Sequence, residues 1–284
     1  MKVKYMKIDI LGTAQDGGCP HAGCYCDNCM KIINGEEKEK YPASLGISKD
    51  HYRILVEATP KMDIQLRKWQ ELNNYDSYLP DATIITHAHI GHYAGLMYLG
   101  KEVLNADNHP VYVTAKMRDF IESNSPYADL VSNGNIKLNI LPIGESVKLS
   151  DSLTVKAIEV KHRNEHADTV GLLFSASDES VFFLPDIDSW DGFTKQLTDI
   201  LSSCNRAYLD ATFFNHDELP SLRGRDTSKV PHPTVEDTLT KIKEGIINTD
   251  KCEIHLIHFN HTNHLIHSTK KCLNESVYIA KQDI

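Results

Sequence analysis

The chain has 284 residues, which at roughly 150 residues per domain allows two domains or one with two similar halves. Its 41% hydrophobic and 24% charged residues are an ordinary globular balance, enough for a sizeable core without staples. The 30 Lys and Arg against 39 Asp and Glu leave a net charge of −9; no basic stripe is present, which argues against double-stranded nucleic acid as the main partner.

Val3–Leu11 alternates and is β-branched, so it reads as a first strand rather than a signal peptide. No stretch reaches the roughly 18–20 apolar residues that span a bilayer. With a mean hydropathy of −0.35, the expectation is a soluble cytoplasmic protein with no membrane partner. Gly12–Cys29 is a long Gly- and Cys-rich loop. Ala43–Ser48 and Tyr52–Glu57 read as paired strands, and Pro60–Leu72 has helical spacing through Ile64, Leu66 and Trp69. Ala82–Thr86 is a short buried strand running into His87, followed by a helix over His92–Leu99. Val111–Thr114 is a strand and Ala115–Asn124 a helix. Ile136–Leu141, Leu153–Val160, Val170–Ser175 and Ser180–Leu184 are strands. Asp191–Leu201 is a helix, Ala207–Leu209 a strand, Thr234–Ile246 a helix, Glu253–Ile257 a strand and Val277–Ala280 an edge strand. Two strand sets, before and after residue 150, predict two sheets packed face to face under outer helices.

Histidine and cysteine are clustered. The 15 histidines include His87, His89 and His92, then His162 and His166, then five between His255 and His267. The most informative ones follow short apolar strands, which puts them at one rim of the sheets. Side chains two apart on an extended segment share a face, so His87 and His89 can bind one metal together while His92, on the next turn, faces a second position. Neutral imidazole is the commonest metal ligand. Of the 7 cysteines, Cys19, Cys24, Cys26 and Cys29 are bunched. An odd count without a secretion signal favours a metal site over a disulfide framework.

The segment Thr86-His87-Ala88-His89-Ile90-Gly91-His92 resembles the strand-terminal His-x-His-x-Asp-His motif of the metallo-β-lactamase superfamily. The remaining family positions are met in order by His162 (with His166 as a competitor), by Asp186 in Phe183-Leu184-Pro185-Asp186, and by His258 in His255-Leu256-Ile257-His258. The resemblance covers nearly the whole chain. It implies a single domain over 1–284 of two similar halves (1–150 and 151–284), built as a four-layer α/β/β/α sandwich. His87, His89 and His162 would hold one metal, Asp186 would bridge, and His92 with His258 would hold a second. Gly91 stands where the family has a second-site Asp, so the expectation is a weak or empty second site.

Gly12-Thr13-Ala14-Gln15-Asp16-Gly17-Gly18 with Cys24-Tyr25-Cys26-Asp27-Asn28-Cys29 resembles a branch of the superfamily with a structural zinc. That branch includes pyrroloquinoline quinone biosynthesis protein B and a cyclic-phosphate phosphodiesterase. There Cys24, Cys26 and Cys29 would be zinc ligands with His261 as the fourth, Cys19 and His21 being the alternatives. Leu209-Asp210-Ala211-Thr212 and Pro231-His232-Pro233-Thr234 resemble two segments of tRNase Z, which implies a proton relay between Asp210 and His232. Arg223 and Arg225 are candidates to clamp an anionic substrate.

The implied activity is metal-dependent hydrolysis of a small phosphodiester or ester, with Asp186, Asp210 and His232 as catalytic residues. Zinc, manganese or iron would occupy the cleft. The alternatives are an iron-dependent hydroxylase and a non-catalytic small-molecule carrier.

Overall fold

A computed structural model describes residues 5–177, 179–218 and 230–284. It contains two sheets. The first has six strands in the order β1 (Lys7–Gly12), β2 (Ser44–Lys49), β3 (Tyr52–Val56), β4 (Ala82–Ile84), β5 (His109–Val113) and β6 (Ile136–Ile140). The second has seven: β13 (Val277–Ile279), β12 (Glu253–Ile257), β11 (Arg206–Asp210), β10 (Ser180–Leu184), β9 (Thr169–Ser175), β8 (Leu153–Val160) and β7 (Ser146–Ser150).

The strand sequences explain the layering. In β10, Val181 and Phe183 face the other sheet while Phe182 and Leu184 face outward, and all four are fully buried. Both faces of a strand this apolar must be covered. The inner layer joins Leu45, Ile47, Ile54 and Val56 to Val155, Leu172, Phe174 and Phe183. The outer face of the first sheet is covered by α2 (Met62–Asn73), α4 (Ala115–Ser123) and α5 (Ser125–Ser132), through Leu66, Trp69, Met117, Ile121 and Leu130. The outer face of the second is covered by α1 (Asp27–Ile33), α6 (Thr194–Leu201) and α7 (Val235–Lys243), through Cys29, Leu197, Leu201 and Val235. This is the four-layer α/β/β/α metallo-β-lactamase sandwich.

Among the described residues, α1, α5, β7 and a 3-10 helix over His264–His267 go beyond the sequence expectation. The helix expected over His92–Leu99 is instead a single turn, α3 (Ile90–Tyr93), followed by a 3-10 helix over Ala94–Leu99. No helix among the described residues is long and apolar enough to cross a membrane.

Strand direction gathers the candidate residues. β3, β4 and β5 are mutually parallel, as are β10, β11 and β12. β1 and β8 each pair antiparallel with an intermediate strand that is itself antiparallel to those sets. The carboxyl ends of β1, β3, β4, β8, β10, β11 and β12 therefore open on one rim.

Buried His109, on β5, makes the fold acid-sensitive. Burial pushes its pKa down to about 4, against an ordinary 6.5, so the folded state keeps it neutral. Below pH 6.5 the unfolded chain binds a proton that the folded chain refuses. Stability is full above pH 6.5 and falls as pH drops toward 4, by about 3 kcal/mol in all. His109→Gln can keep a partner for Thr83 Oγ1, which lies 2.9 Å from His109 Nε2. The difference in Tm between variant and wild type, followed by calorimetry, should narrow or reverse between pH 6.5 and 4. A difference that does not change with pH would contradict the assignment.

Candidate metal centres

Two four-membered groups of ligand atoms meet at the rim, beside a smaller one formed by Asp186, Asp210 and His232. In the first, His87, His89, His162 and Asp186 each offer one atom within 4.8 Å of the others. In the second, Asp16, His92, Asp186 and His258 do the same. Asp186 belongs to both. Its Oδ2 lies 3.4 Å from His87 Nε2, 3.0 Å from His92 Nε2 and 3.4 Å from His258 Nε2, and its Oδ1 lies 3.5 Å from His162 Nε2. His162 Nε2 is 3.3 Å from His89 Nδ1. Ligands held at about 2.0–2.2 Å from a metal stand roughly this far apart.

The orphaned atoms agree with a cation. Buried His87, His92 and His258 each have an Nε2 without a hydrogen-bond partner, as does Oδ1 of Asp16. Unpaired buried polar atoms are costly, and one in the first group with three in the second are explained by metal ligation.

The outward nitrogens of His87, His89, His162 and His258 are hydrogen-bonded, and that of His92 lies against a buried carboxylate without a hydrogen bond. His87 Nδ1 lies 2.9 Å from Thr86 Oγ1, which donates to buried Glu57. His92 Nδ1 lies 3.2 Å from Glu57 Oε1. His162 Nδ1 is 3.0 Å from Asp188, His258 Nδ1 is 3.0 Å from Thr212 Oγ1, and His89 Nε2 is 3.5 Å from Glu165. Such partners fix the tautomer and ring orientation of metal-binding histidines. Glu57 (φ 72°) and His258 (φ 69°) hold left-handed backbone conformations. That strain is borne where side chains must be aimed.

The expected deficit at the second site is corrected here. Gly91 has no side chain, but Asp16, on the loop after β1, fills its place. A Cβ on Gly91 would lie 2.3 Å from Asp16 Oδ1 and 2.5 Å from its Cα. Asp16 Oδ1 stands 3.1 Å from His92 Nε2 and 3.5 Å from His258 Nε2. An oxygen from another loop therefore stands beside His92 and His258 where Gly91 offers none.

The charges balance accordingly. Burial would raise the Asp186 carboxyl, but the surrounding His258, His162, His92 and His87 hold it well below the ordinary value. Burial likewise opposes the ionised form of Asp16, but the His258 and His92 imidazoles beside it hold its pKa well below normal. Burial alone would lower His92, yet Glu57, Asp16 and Asp186 outweigh it and raise its pKa well above normal.

Beside these groups, Asp210 Oδ2 accepts from His232 Nδ1 at 2.8 Å and from Ile187 N at 3.1 Å. Asp210 Oδ1 accepts from Thr212 N and Oγ1. Burial disfavours a charge on His232, but Asp210 outweighs it and raises the pKa. His232 Nε2 is buried without a partner. Its ring borders a cavity of about 460 Å³ lined by Asp188, Trp190, Phe213 and Thr234, among others.

The cysteine loop forms a separate group of Cys24, Cys26, Cys29 and His261. The three sulfurs lie 3.5, 3.4 and 3.7 Å from His261 Nδ1. A tetrahedral zinc, with Zn–S about 2.3 Å and Zn–N about 2.0–2.1 Å, places sulfur and nitrogen about 3.6 Å apart, so the four residues fit it. The alternatives fall outside the group: Cys19 Sγ is 4.0 Å from Cys29 Sγ, and the His21 ring stacks on that of His261. His166 is likewise outside the cleft groups, with its ring tilted against Phe120. Arg223 and Arg225 lie outside the described residues.

Sequence reasoning missed Asp16, Glu57, Thr212, Asp188 and Glu165. Asp16 carried one readable signal: it sits in the Gln15-Asp16-Gly17 loop straight after the first strand.

A sandwich with such a rim defines a metallo-β-lactamase fold. The chain belongs to the beta-lactamase superfamily: residues 52–256 match the family described as "Beta-lactamase superfamily domain". Within it, the chain resembles the proteins named Coenzyme PQQ synthesis protein B. It is 27% identical to that of Cupriavidus necator, over 90% of both chains, and 25% identical to that of Acinetobacter baylyi, over 92% and 91%. The fold is shared with Zn(2+)-bound PqqB from Methylobacterium extorquens (TM-score 0.75, 17% identity, 92% and 91% of the two chains). It is also shared with a diphosphatase of the PhnP family (TM-score 0.68, 17% identity, 97% and 95%) and with human tRNase Z, short form (TM-score 0.59, 15% identity, 99% and 98%).

Proposed function

We propose that this protein is a metal-dependent hydrolase acting on a small, anionic phosphodiester or ester. The observation that carries the reading is the pair of ligand groups sharing Asp186, with His232 Nε2 unpaired beside them. His87, His89 and His162 would hold one metal, and His92, His258 and Asp16 the other. When bound, such metals lower the pKa of a coordinated water toward about 7 and neutralise charge on a phosphoryl or acyl oxygen.

The chain supplies the rest. Asp186 joins the two positions and keeps them at a fixed separation. Asp210 holds His232 with Nδ1 inward, so Nε2 is the atom free to give a proton to a leaving oxygen. Thr212, hydrogen-bonded to Asp210 and lying against His258, ties this relay to the second ligand group. Both sheets contribute to the one rim, which supports reading 1–284 as a single domain. Zinc, manganese or iron suits the cleft donors, and zinc suits the thiolate site.

The test is elemental analysis of the purified protein, followed by hydrolysis of bis(p-nitrophenyl) phosphate with oxygen uptake monitored in parallel. Cleft zinc or manganese with phosphodiester cleavage supports the proposal. Iron with oxygen uptake would favour a hydroxylase, and an empty cleft a carrier. His232→Ala should lower kcat by about 10²–10⁴-fold, the range for loss of a general acid, while cleft metal content stays at the wild-type level. Full activity in that variant would remove His232 from the mechanism.

A further inference from the structure

Two short segments each carry ligands for both centres. The loop after β1 holds Asp16 for the cleft and Cys24, Cys26 and Cys29 for the thiolate group. The segment after β12 holds His258 for the cleft and His261 for the thiolate group, three residues apart. The segments are joined to each other. Gln15 N donates to Phe259 O and Phe259 N to Thr13 O, both at 2.8 Å. Asn28 Nδ2 donates to the carbonyls of His261 and Asn263. Asp16 itself rests on the one position of α3 without a side chain, Gly91.

We infer that Asp16 is the carboxylate ligand of the second cleft metal and that, through it and His258, the thiolate centre and this metal are thermodynamically linked. Zinc on Cys24, Cys26, Cys29 and His261 cross-links the two segments, and this is the arrangement that sets Asp16 and His258 against His92. The ordering cost of the second cleft site is then met in advance, so its affinity rises. Linkage is reciprocal: a filled second cleft site must tighten the thiolate centre by the same factor. The first cleft group, built on His87, His89 and His162, uses neither segment and meets the coupling only through the shared Asp186.

This inference rests on the metal-centre reading above, and the experiment separates the two. Cobalt(II) at a thiolate site gives an intense sulfur-to-cobalt band, so it reports that centre alone. Chelator competition for cobalt at that band is run on the full chain with the cleft loaded or unloaded with zinc, and native mass spectrometry counts metals per chain. Wild type should bind thiolate cobalt about 5-fold or more tightly when the cleft is loaded, a common size for coupling between sites. Asp16→Ala should keep the thiolate band, lose one cleft metal and reduce the factor. Gly91→Ala, whose methyl group enters the space of Asp16, should do the same without removing the carboxylate. Equal thiolate affinity in loaded and unloaded wild type, or two cleft metals retained in Asp16→Ala, would overturn the inference alone. A wild-type cleft that takes up no metal would overturn the metal-centre reading and the inference with it.

Discussion

Asp186→Asn should cost more activity than any other single substitution in the cleft. The side chain is fully buried and lies within 3.5 Å of His87, His92, His162 and His258. An amide keeps the shape but loses the charge and half of the oxygen donors. Both ligand groups are weakened at once, and two facing sets of imidazoles lose the anion that balances a dication. Removing an outer partner of a metal ligand typically costs about 10- to 100-fold in affinity or activity. Loss of a shared inner ligand should exceed about 100-fold, with cleft metal falling from two toward none. The thiolate group and the inner core lie elsewhere, so far-UV circular dichroism should be unchanged and zinc should still occupy the cysteine site, held less tightly by the coupling factor. A variant that retains both cleft metals and wild-type turnover would show that Asp186 serves only to support the fold.

The strand-terminal residues of this centre were legible because their signal is periodic. An apolar strand that stops on a histidine or aspartate announces a rim position, as at His87, His162, Asp186 and His258. The resemblance then supplied their order, and Asp210 and His232 with it. Asp16 was not legible in the same way. A carboxylate in an irregular loop has no periodicity, and its place opposite Gly91 depends on contacts across 75 residues of chain. Gly91 indeed offers no ligand, and the carboxylate beside His92 comes from Asp16, because closeness in space does not follow sequence position.

Outer partners such as Glu57 and Thr212 were hidden for a similar reason. Each belongs to a different strand end from the histidine it supports. Among the elements, α5 was missed because Ser125-Pro126 reads as a break, whereas proline in the first turn of a helix costs nothing, and that is where it stands. β7 offered only Val147 and Leu149 as an alternating pair. α1 begins on Cys26 with no side-chain cap, so the usual start signal is absent.

Cys26→Ser should have the largest effect on stability. The loop from Thr13 to Cys29 has little regular structure, and α1 packs on the second sheet through one buried residue, Cys29. Without metal, this loop is held to the segment after β12 by hydrogen bonds, the His21–His261 ring stack and the apolar cluster that joins Ala14, Cys19 and Cys29 to Phe259, Leu265 and Ile266. Burial pushes the Cys26 thiol up to about 12 and that of Cys29 up to about 11. Cys26 and Cys29 are therefore neutral thiols at pH 7 in the metal-free site, and zinc must expel their protons as it binds. Zinc retention should weaken as pH falls, since protons compete for the same sulfurs. A serine hydroxyl is a hard, neutral donor and replaces a soft thiolate poorly. With a core of two full sheets, the chain does not depend on zinc for folding outright, unlike an isolated zinc finger. Loss of the clamp should still cost at least about 2 kcal/mol, which lowers Tm by roughly 4–8 °C for a domain of about this size. Calorimetry with zinc analysis on the same sample checks both halves of this expectation: the variant should melt earlier and lack the thiolate zinc, and wild type stripped by chelator should melt where the variant does. Coincident melting of variant and zinc-loaded wild type would mean that the thiolate centre holds no part of the fold.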